Sequence, residues 1–296
     1  MSTQSTSNSA SQAPRFQDTI NNILFPTDFS ETADHAFLHA LRLSVSLEAK
    51  LVLYHVYYDA PVAEGVVPEG IMEAMRAEKV EDALAHFRDY EVRAKKFLKE
   101  GVVIEPRVEG GYVTDRIIEA SKKLEAGLIV MGTMGQHSDS ESILGSITSR
   151  IINHVACPIL AIPESASTKP FQHLLFATGF GSEEIPMIEE MNDLSDVLNA
   201  KLSCIHVSRG DVPYSELEPS MLERIMHIKE HEKVSIYTVN NPDIVGGLRH
   251  FISRNEVDML IIAARPKDVV NETMRETLTA QLVLHSEVPL LVYHLS

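Results

Sequence analysis

The sequence predicts an α/β fold made of two tandem domains, each a five-stranded parallel sheet with helices on both faces. Three observations predict this fold. The chain repeats itself, each repeat alternates short apolar runs with helical patterns, and those runs are continuously apolar instead of alternating with polar residues. Continuously apolar strands are typical of parallel sheets that helices cover on both faces.

The internal repeat sets the domain organisation. Residues 23–29 (ILFPTDF) match residues 174–180 (LLFATGF) at an offset of 151. Further along the chain the offset is 131, and there residues 128–131 (LIVM) match residues 259–262 (MLII). The second repeat has therefore lost 20 residues from its middle, where residues 215–232 can hold only one shorter helix. The repeats predict domains at residues 16–165 and 168–296, after a disordered tail at residues 1–15.

In the first repeat, each element follows from a local pattern. Residues 22–26 form a short apolar run, and Pro26 at its end is followed by Thr27 and Asp28. Ser30 is the natural N-cap of the next helix, with Glu31 and Asp34 near its positive end. Apolar residues at spacings of three and four then predict the body of that helix. The remaining predicted elements are strands at residues 50–57, 102–108, 127–131 and 158–162, and helices at residues 71–99, 114–124 and 146–155.

Composition excludes several classes of function. The chain has 296 residues, of which 44% are hydrophobic and 23% charged, and its net charge is -16. Such an acidic surface repels phosphate backbones and anionic lipids, so we expect neither a nucleic-acid nor a membrane partner. The first 15 residues lack the apolar core of a signal peptide. Two cysteines cannot make a disulfide framework, which fits a reducing cytosol, and we expect a cytoplasmic protein.

The residues that could carry chemistry follow strands. Ligands of open parallel sheets bind outside the carboxyl ends of the strands, where the strand order reverses. Asp28 follows the first strand, and a loop of the form Gly132-x2-Gly135-x9-Gly145-Ser146 follows the fourth. Glycines and a hydroxyl just before a helix allow a phosphate chain to approach the backbone and its free N–H groups. On the order of 0.01 chance matches to this spacing are expected per chain.

Residues 26–33 (PTDFSETA), taken with this loop, resemble the universal stress protein family in its ATP-binding, tandem two-domain form. The resemblance covers nearly the whole chain after the tail and implies Rossmann-like, adenine nucleotide α-hydrolase-like domains. It also implies that ATP or another adenine nucleotide is bound, with Mg²⁺ or Mn²⁺ on the phosphates, in a nucleotide-dependent switch or interaction protein of the stress response. The residues implied in binding are Asp28 and the backbone of Val56 on the base and ribose side, with Pro26 and Thr27 beside them, and Met131, Gly132, Gly135, Gly145, Ser146 and Ile147 around the ribose and phosphates.

The second repeat departs from this motif. A carboxylate at the start of the helix opposes a bound phosphate, and a proline removes an N–H donor. We therefore expect one nucleotide per chain, in the first repeat. The replacements are Gly179 for Asp28, Ala263 for Gly132, Pro266 for Gly135 and Glu276 for Gly145, while the hydroxyl survives as Thr277.

Hydrolysis of the nucleotide is a separate question. The loop has no Lys or Arg between Gly132 and Ser149 to stabilise transferred charge, so we expect slow or absent hydrolysis. Asp139 and Glu141 could hold a divalent metal or face solvent. Two alternatives stay open: a slow ATPase or adenylating enzyme of the nucleotide α-hydrolase group, and an interaction scaffold that holds no nucleotide. The adenylating enzyme would need His-Ile-Gly-His or Ser-Gly-Gly-x-Asp-Ser signatures, which the sequence lacks.

The last strand of each repeat predicts how the repeats meet. Domains of the family that the chain resembles pair through these strands, here residues 158–162 and 289–293. Edge strands this apolar need to be covered, which favours the same pairing. We expect the second domain to serve chiefly as a built-in partner, in an intramolecular pseudo-dimer. A further homodimer and an unknown protein partner are left open.

Overall fold

The described residues form a single ten-stranded sheet with helices packed against it. The computed structural model describes residues 19–59, 67–97, 102–133, 146–210, 223, 234–264 and 286–294. The strands are β1 (Asn22–Pro26), β2 (Lys50–Tyr57), β3 (Ile104–Gly110), β4 (Leu128–Gly132), β5 (Ile159–Ile162), β6 (His173–Ala177), β7 (Lys201–Ser208), β8 (Val234–Asn240), β9 (Met259–Ala264) and β10 (Leu290–His294). The helices are α1 (Glu31–Ser46), α2 (Glu69–Ala94), α3 (Val113–Lys123), α4 (Ser146–Ile152), α5 (Ile185–Leu198) and α6 (Ile244–Arg254), with a 3₁₀ turn at Ser182–Glu184.

The order of the strands shows how the two repeats are joined. It runs β3-β2-β1-β4-β5-β10-β9-β6-β7-β8, so the second half-sheet is the first in reverse. Neighbours within each half are parallel, as predicted. At the centre β5 and β10 pair antiparallel, with Leu160 opposite Leu291. The expected contact between the last strands of the repeats is therefore present.

Helices cover both faces of the sheet. Successive residues of β1 point to opposite faces, so Phe25 packs with Phe37 of α1 and Phe87 of α2, whereas Leu24 packs with the cluster that holds α3 and α4. The rings of Phe25 and Phe37 lie 5.8 Å apart between centroids. Each cluster continues into the second repeat without a break. The predicted layering, with helices on both faces, is confirmed.

Local signals placed most helix boundaries to within a few residues. Ser30 caps α1 as predicted, since its extended backbone lets the side-chain Oγ accept the Ala33 N–H at 3.2 Å. Helix α4 ends at Ile152, three residues before the predicted end, because the His154 N–H turns to the Ile151 carbonyl and tightens the last turn. The predicted helix at residues 215–232 lies outside the described residues, apart from residue 223.

Helix α1 carries a histidine, His39, that is buried in the protein core. His39 is 1% exposed, and its ring stacks on Phe171, in the segment that connects the repeats, at 4.9 Å between centroids. Burial lowers the pKa of His39 to about 4, with smaller contributions from the charges of Arg42 and His35. The Ser167 backbone offsets part of that fall. His39 is therefore neutral in the folded chain over most of the pH range.

This burial predicts a loss of stability in acid. The unfolded chain binds a proton at His39 near pH 6.5 and the folded chain only near pH 4, so stability is full above pH 6.5 and falls as the pH drops through this window. The loss is about 2–3 kcal/mol by pH 4.5. We expect His39→Leu to lose less stability between pH 7 and pH 4.5 than the parent chain, by about 2 kcal/mol, in urea denaturation followed by circular dichroism. An identical change for both chains would contradict the assignment.

Candidate functional site

The candidate site is the crevice between β1 and β4. These strands are parallel neighbours, and the chain leaves them in opposite directions. After β1 it enters α1, which packs on one face of the sheet, and after β4 it leads to α4, which packs on the other. The carboxyl ends of β1 and β4 therefore flank the point where the strand order reverses. In open α/β sheets this is the usual position of a ligand.

The turn after β1 is held by side chains binding to the backbone. Thr27 is 8% exposed, and its Oγ1 accepts the Phe29 N–H at 3.0 Å. The Oδ1 atom of Asp28 accepts the Ser30 N–H at 3.1 Å. Phe29 has a φ of 61°, in the left-handed region that non-glycine residues adopt rarely. These contacts fix Asp28 at the mouth of the crevice, half-buried at the strand end.

Two histidines pack on this turn. His55 of β2 donates its Nδ1–H to the Thr27 carbonyl at 2.8 Å. The Phe29 ring lies between the rings of His55 and His86, with centroids 4.6 and 4.5 Å apart. Burial lowers the pKa of His55, although the bond to Thr27 and the charge of Asp28 oppose that fall. The stack packs the Phe29 side chain against β2 and α2.

At the end of β4 a glycine allows α1 to come close. A Cβ atom on Gly132 would lie 3.0 Å from Thr32 Cγ2 and 3.3 Å from the Thr32 carbonyl carbon. The Thr148 hydroxyl donates to the Gly132 carbonyl at 3.1 Å and so ties α4 to the same strand end. Gly132 thus lets α1 pack close to the end of β4, a reason for a glycine that the loop pattern in the sequence does not show.

Thr133 is a residue that the sequence analysis missed. It follows β4 directly, is 5% exposed, and donates its backbone N–H to the Ile162 carbonyl at 3.0 Å. Its buried Oγ1 has no hydrogen-bond partner among the described residues. A buried hydroxyl without a partner costs about 1–3 kcal/mol, so this atom suits a site that supplies a partner when occupied. The matching residue of the second repeat, Ala264, carries no hydroxyl.

The predicted site residues fall into three groups. The first group lies at the carboxyl ends of the parallel strands, on one side of the sheet. There Met131 is 6% exposed and Val56 is 8% exposed. Ser146 begins α4, and Ile147 beside it is 40% exposed. Gly135 and Gly145 lie outside the described residues, as do Asp139 and Glu141. The residues brought to strand ends are Pro26, Thr27 and Asp28 at β1, Val56 at β2, and Met131 and Gly132 at β4.

The second repeat builds the same turn with different chemistry. The Thr178 Oγ1 accepts the Phe180 N–H at 2.8 Å, and Phe180 has a φ of 56°. His206 donates its Nδ1–H to the Thr178 carbonyl at 3.0 Å, as His55 does to the Thr27 carbonyl in the first repeat. Gly179 stands at the position of Asp28.

A carboxylate of the chain itself occupies the start of the helix in the second repeat. Glu184 Oε2 accepts the Gly181 N–H at 2.9 Å and the Thr178 hydroxyl at 2.8 Å. It also lies 3.8 Å from where a Cβ atom of Gly179 would be. The helical segment begins here with the 3₁₀ turn Ser182–Glu184, and α5 follows directly from Ile185. Pro266, Glu276 and Thr277 lie outside the described residues.

No group of three or more His, Cys, Asp or Glu side chains is placed to hold a metal ion within the described ranges. In that same part of the chain, none of the helices combines the length and apolarity needed to cross a membrane.

The described elements define a doubly wound α/β protein with a crevice at the switch point of its first half-sheet. The sequence profile of the universal stress protein family matches residues 19–163. A universal stress protein of Methanocaldococcus jannaschii is 30% identical over 144 residues, which cover 47% of this chain and 80% of that protein. One of Bacillus subtilis is 26% identical over 148 residues, or 48% of this chain and 98% of that protein. The chain belongs to the universal stress protein family.

A solved structure extends the likeness in fold to both repeats. The crystal structure of a universal stress protein from Archaeoglobus fulgidus matches with a TM-score of 0.71, covering 93% of this chain and 99% of that one. The two sequences are 17% identical, so the match shows the fold alone. The chain is also about twice the length of the segment that the family profile matches. This length fits a tandem form.

The close packing at Gly132 predicts a specific loss of stability. We expect Gly132→Ala to lower the free energy of unfolding by about 1–2 kcal/mol, because the added methyl group meets the first turn of α1. Gly70→Ala is the matched control, since no atom lies within 4 Å of the added Cβ and alanine favours the helix. Urea denaturation measures both. Equal stability of the two variants would show that α1 does not press on Gly132.

Proposed function

We propose that the first repeat binds one adenine nucleotide, ATP or a relative of it, in the crevice between β1 and β4. One observation carries this proposal: the Gly132-x2-Gly135-x9-Gly145-Ser146 segment leaves the sheet at the last residue of β4 and returns at the first residue of α4. A glycine-bearing segment between a strand end and a helix start, at a switch point, is where α/β proteins hold phosphates.

Local groups must hold the phosphates, because the chain as a whole repels them. The net charge is -16, and the segment has no Lys or Arg from Gly132 to Ser149. Backbone N–H groups made accessible by glycine, with Mg²⁺ or Mn²⁺ on the phosphates, supply the attraction that side chains do not. The unpartnered Thr133 hydroxyl is a further donor at this end of the crevice.

Asp28 suits the sugar end of the nucleotide. A carboxylate accepts several hydrogen bonds at once, and ribose hydroxyls are donors that it can bind. Asp28 is held by the turn that Thr27, Phe29 and Ser30 form, so its position is set before a ligand arrives. Pro26 and the backbone of Val56 border the same side.

The second repeat serves as partner instead of as a second site. Glu184 places a negative charge on the helix start, and Gly179 lacks the carboxylate of Asp28. We propose domains at residues 16–165 and 168–296, joined through β5 and β10 as an intramolecular pseudo-dimer. The bound nucleotide then acts as a signal in the stress response and is turned over slowly or not at all, since no cation of the loop stabilises phosphoryl transfer.

The cysteines support a cytoplasmic location. Cys157 and Cys204 are both free thiols. Burial raises the pKa of Cys157 to about 11 and that of Cys204 to about 12, so neither is a reactive thiolate at neutral pH. We propose that the protein works in the reducing cytoplasm, where disulfides are rare.

Removing the charge of Asp28 tests the proposed site. We expect Asp28→Asn to weaken ATP binding roughly tenfold in the presence of Mg²⁺, because hydrogen bonds to a charged acceptor are stronger than those to a neutral amide. Isothermal titration calorimetry on the full chain measures the affinity. Asp89→Asn, which removes an exposed carboxylate of α2, should leave it unchanged. Equal affinities of the two variants would place the nucleotide elsewhere.

A further inference from the structure

A cavity of about 230 Å³ lies where the two repeats meet. Its wall comes from the last two turns of α1, from Phe97 after α2, from Phe171 in the connecting segment, and from Leu198 at the end of α5. The strand-end crevice lies at the other end of α1, so the two sites are separate. The volume is several times the roughly 30 Å³ share of one water, and below the roughly 300 Å³ of the smaller drug-binding pockets. A ligand of this cavity is therefore small.

The cavity has an apolar wall with one cation. Arg42 lines it, and its guanidinium lies over the Phe97 ring at 5.9 Å from the centroid. One Nη1–H of Arg42 donates to the Thr168 carbonyl, which holds the guanidinium in place. No acidic side chain is among the described residues of the wall. In a chain of net charge -16, an arginine without a carboxylate in the same wall favours an anion.

His39 supplies the second observation. It lines the cavity and is 1% exposed, and neither ring nitrogen makes a hydrogen bond of good geometry among the described residues, where its polar neighbour is the Ser167 backbone. A neutral imidazole carries one N–H donor and one acceptor, and buried polar groups of this kind are nearly always partnered. A ligand that brings a hydrogen-bond acceptor into the cavity would give the His39 N–H a well-placed partner.

We propose that this cavity binds a small carboxylate with an aromatic or short aliphatic body. The carboxylate pairs with Arg42 and lies within reach of the His39 N–H, and the body packs between Phe97 and Phe171. Because the first repeat supplies Arg42 and the second supplies Leu198, an occupied cavity ties the repeats together. The proposal does not depend on nucleotide binding in the crevice.

Calorimetry on the full chain tests the proposal with three probes: phenylacetate, benzoate and hexanoate. Ligands of about ten non-hydrogen atoms bind weakly in general, so titration runs to about 10 mM. We expect at least one probe to bind with one site per chain, and phenylacetate to bind roughly tenfold more tightly than neutral phenylacetamide. No saturable heat from any of the three, or equal affinity for acid and amide, would overturn the proposal.

Three variants locate the site. Arg42→Gln should weaken phenylacetate binding roughly tenfold and leave phenylacetamide unchanged, whereas Arg88→Gln, at an exposed arginine of α2, should change neither. Ser46→Phe places a ring at the exposed rim of the cavity and should abolish binding of both probes. Circular dichroism checks that each variant is folded. Unchanged binding in both Arg42→Gln and Ser46→Phe would place the probe elsewhere and overturn the proposal.

Discussion

The antiparallel pairing of β5 with β10 is the contact on which the rest of the structure depends. Each half-sheet is parallel and would otherwise end in an apolar edge strand with unpaired backbone groups, a form prone to association. Pairing the two edges satisfies those groups and makes the core on each face continuous across both repeats. It also sets α1 of the first repeat against the end of α5, which creates the cavity at their junction.

The turns that follow β1 and β6 share one backbone conformation. A threonine binds the N–H of a left-handed phenylalanine, and a histidine binds the carbonyl of that threonine, in both. What differs is the residue that supplies the carboxylate on this shared turn. In the first repeat Asp28 accepts the Ser30 N–H, and in the second Glu184 accepts the matching Gly181 N–H. The turn is therefore kept in both repeats although its carboxylate comes from a different residue.

Local and periodic features of the sequence were enough to predict the repeats, the parallel strands within each half and the Ser30 cap. Side-chain contacts between distant elements could not be predicted. The stack of His55, Phe29 and His86 needs three elements in place, and the packing reason for Gly132 depends on how α1 lies across β4. Thr133 stood inside the quoted loop, yet only its burial distinguishes it from other hydroxyl residues.

The proposed occupancy is one nucleotide per chain, in the first repeat. The direct measurement is to denature the purified full chain and identify the released nucleotide by chromatography, beside the Gly145→Glu variant that copies the residue of the second repeat. We expect one adenine nucleotide per chain, lost in the Gly145→Glu variant and kept in Gly70→Ala. Two nucleotides per chain, or none together with no stabilisation by added ATP and Mg²⁺, would contradict it.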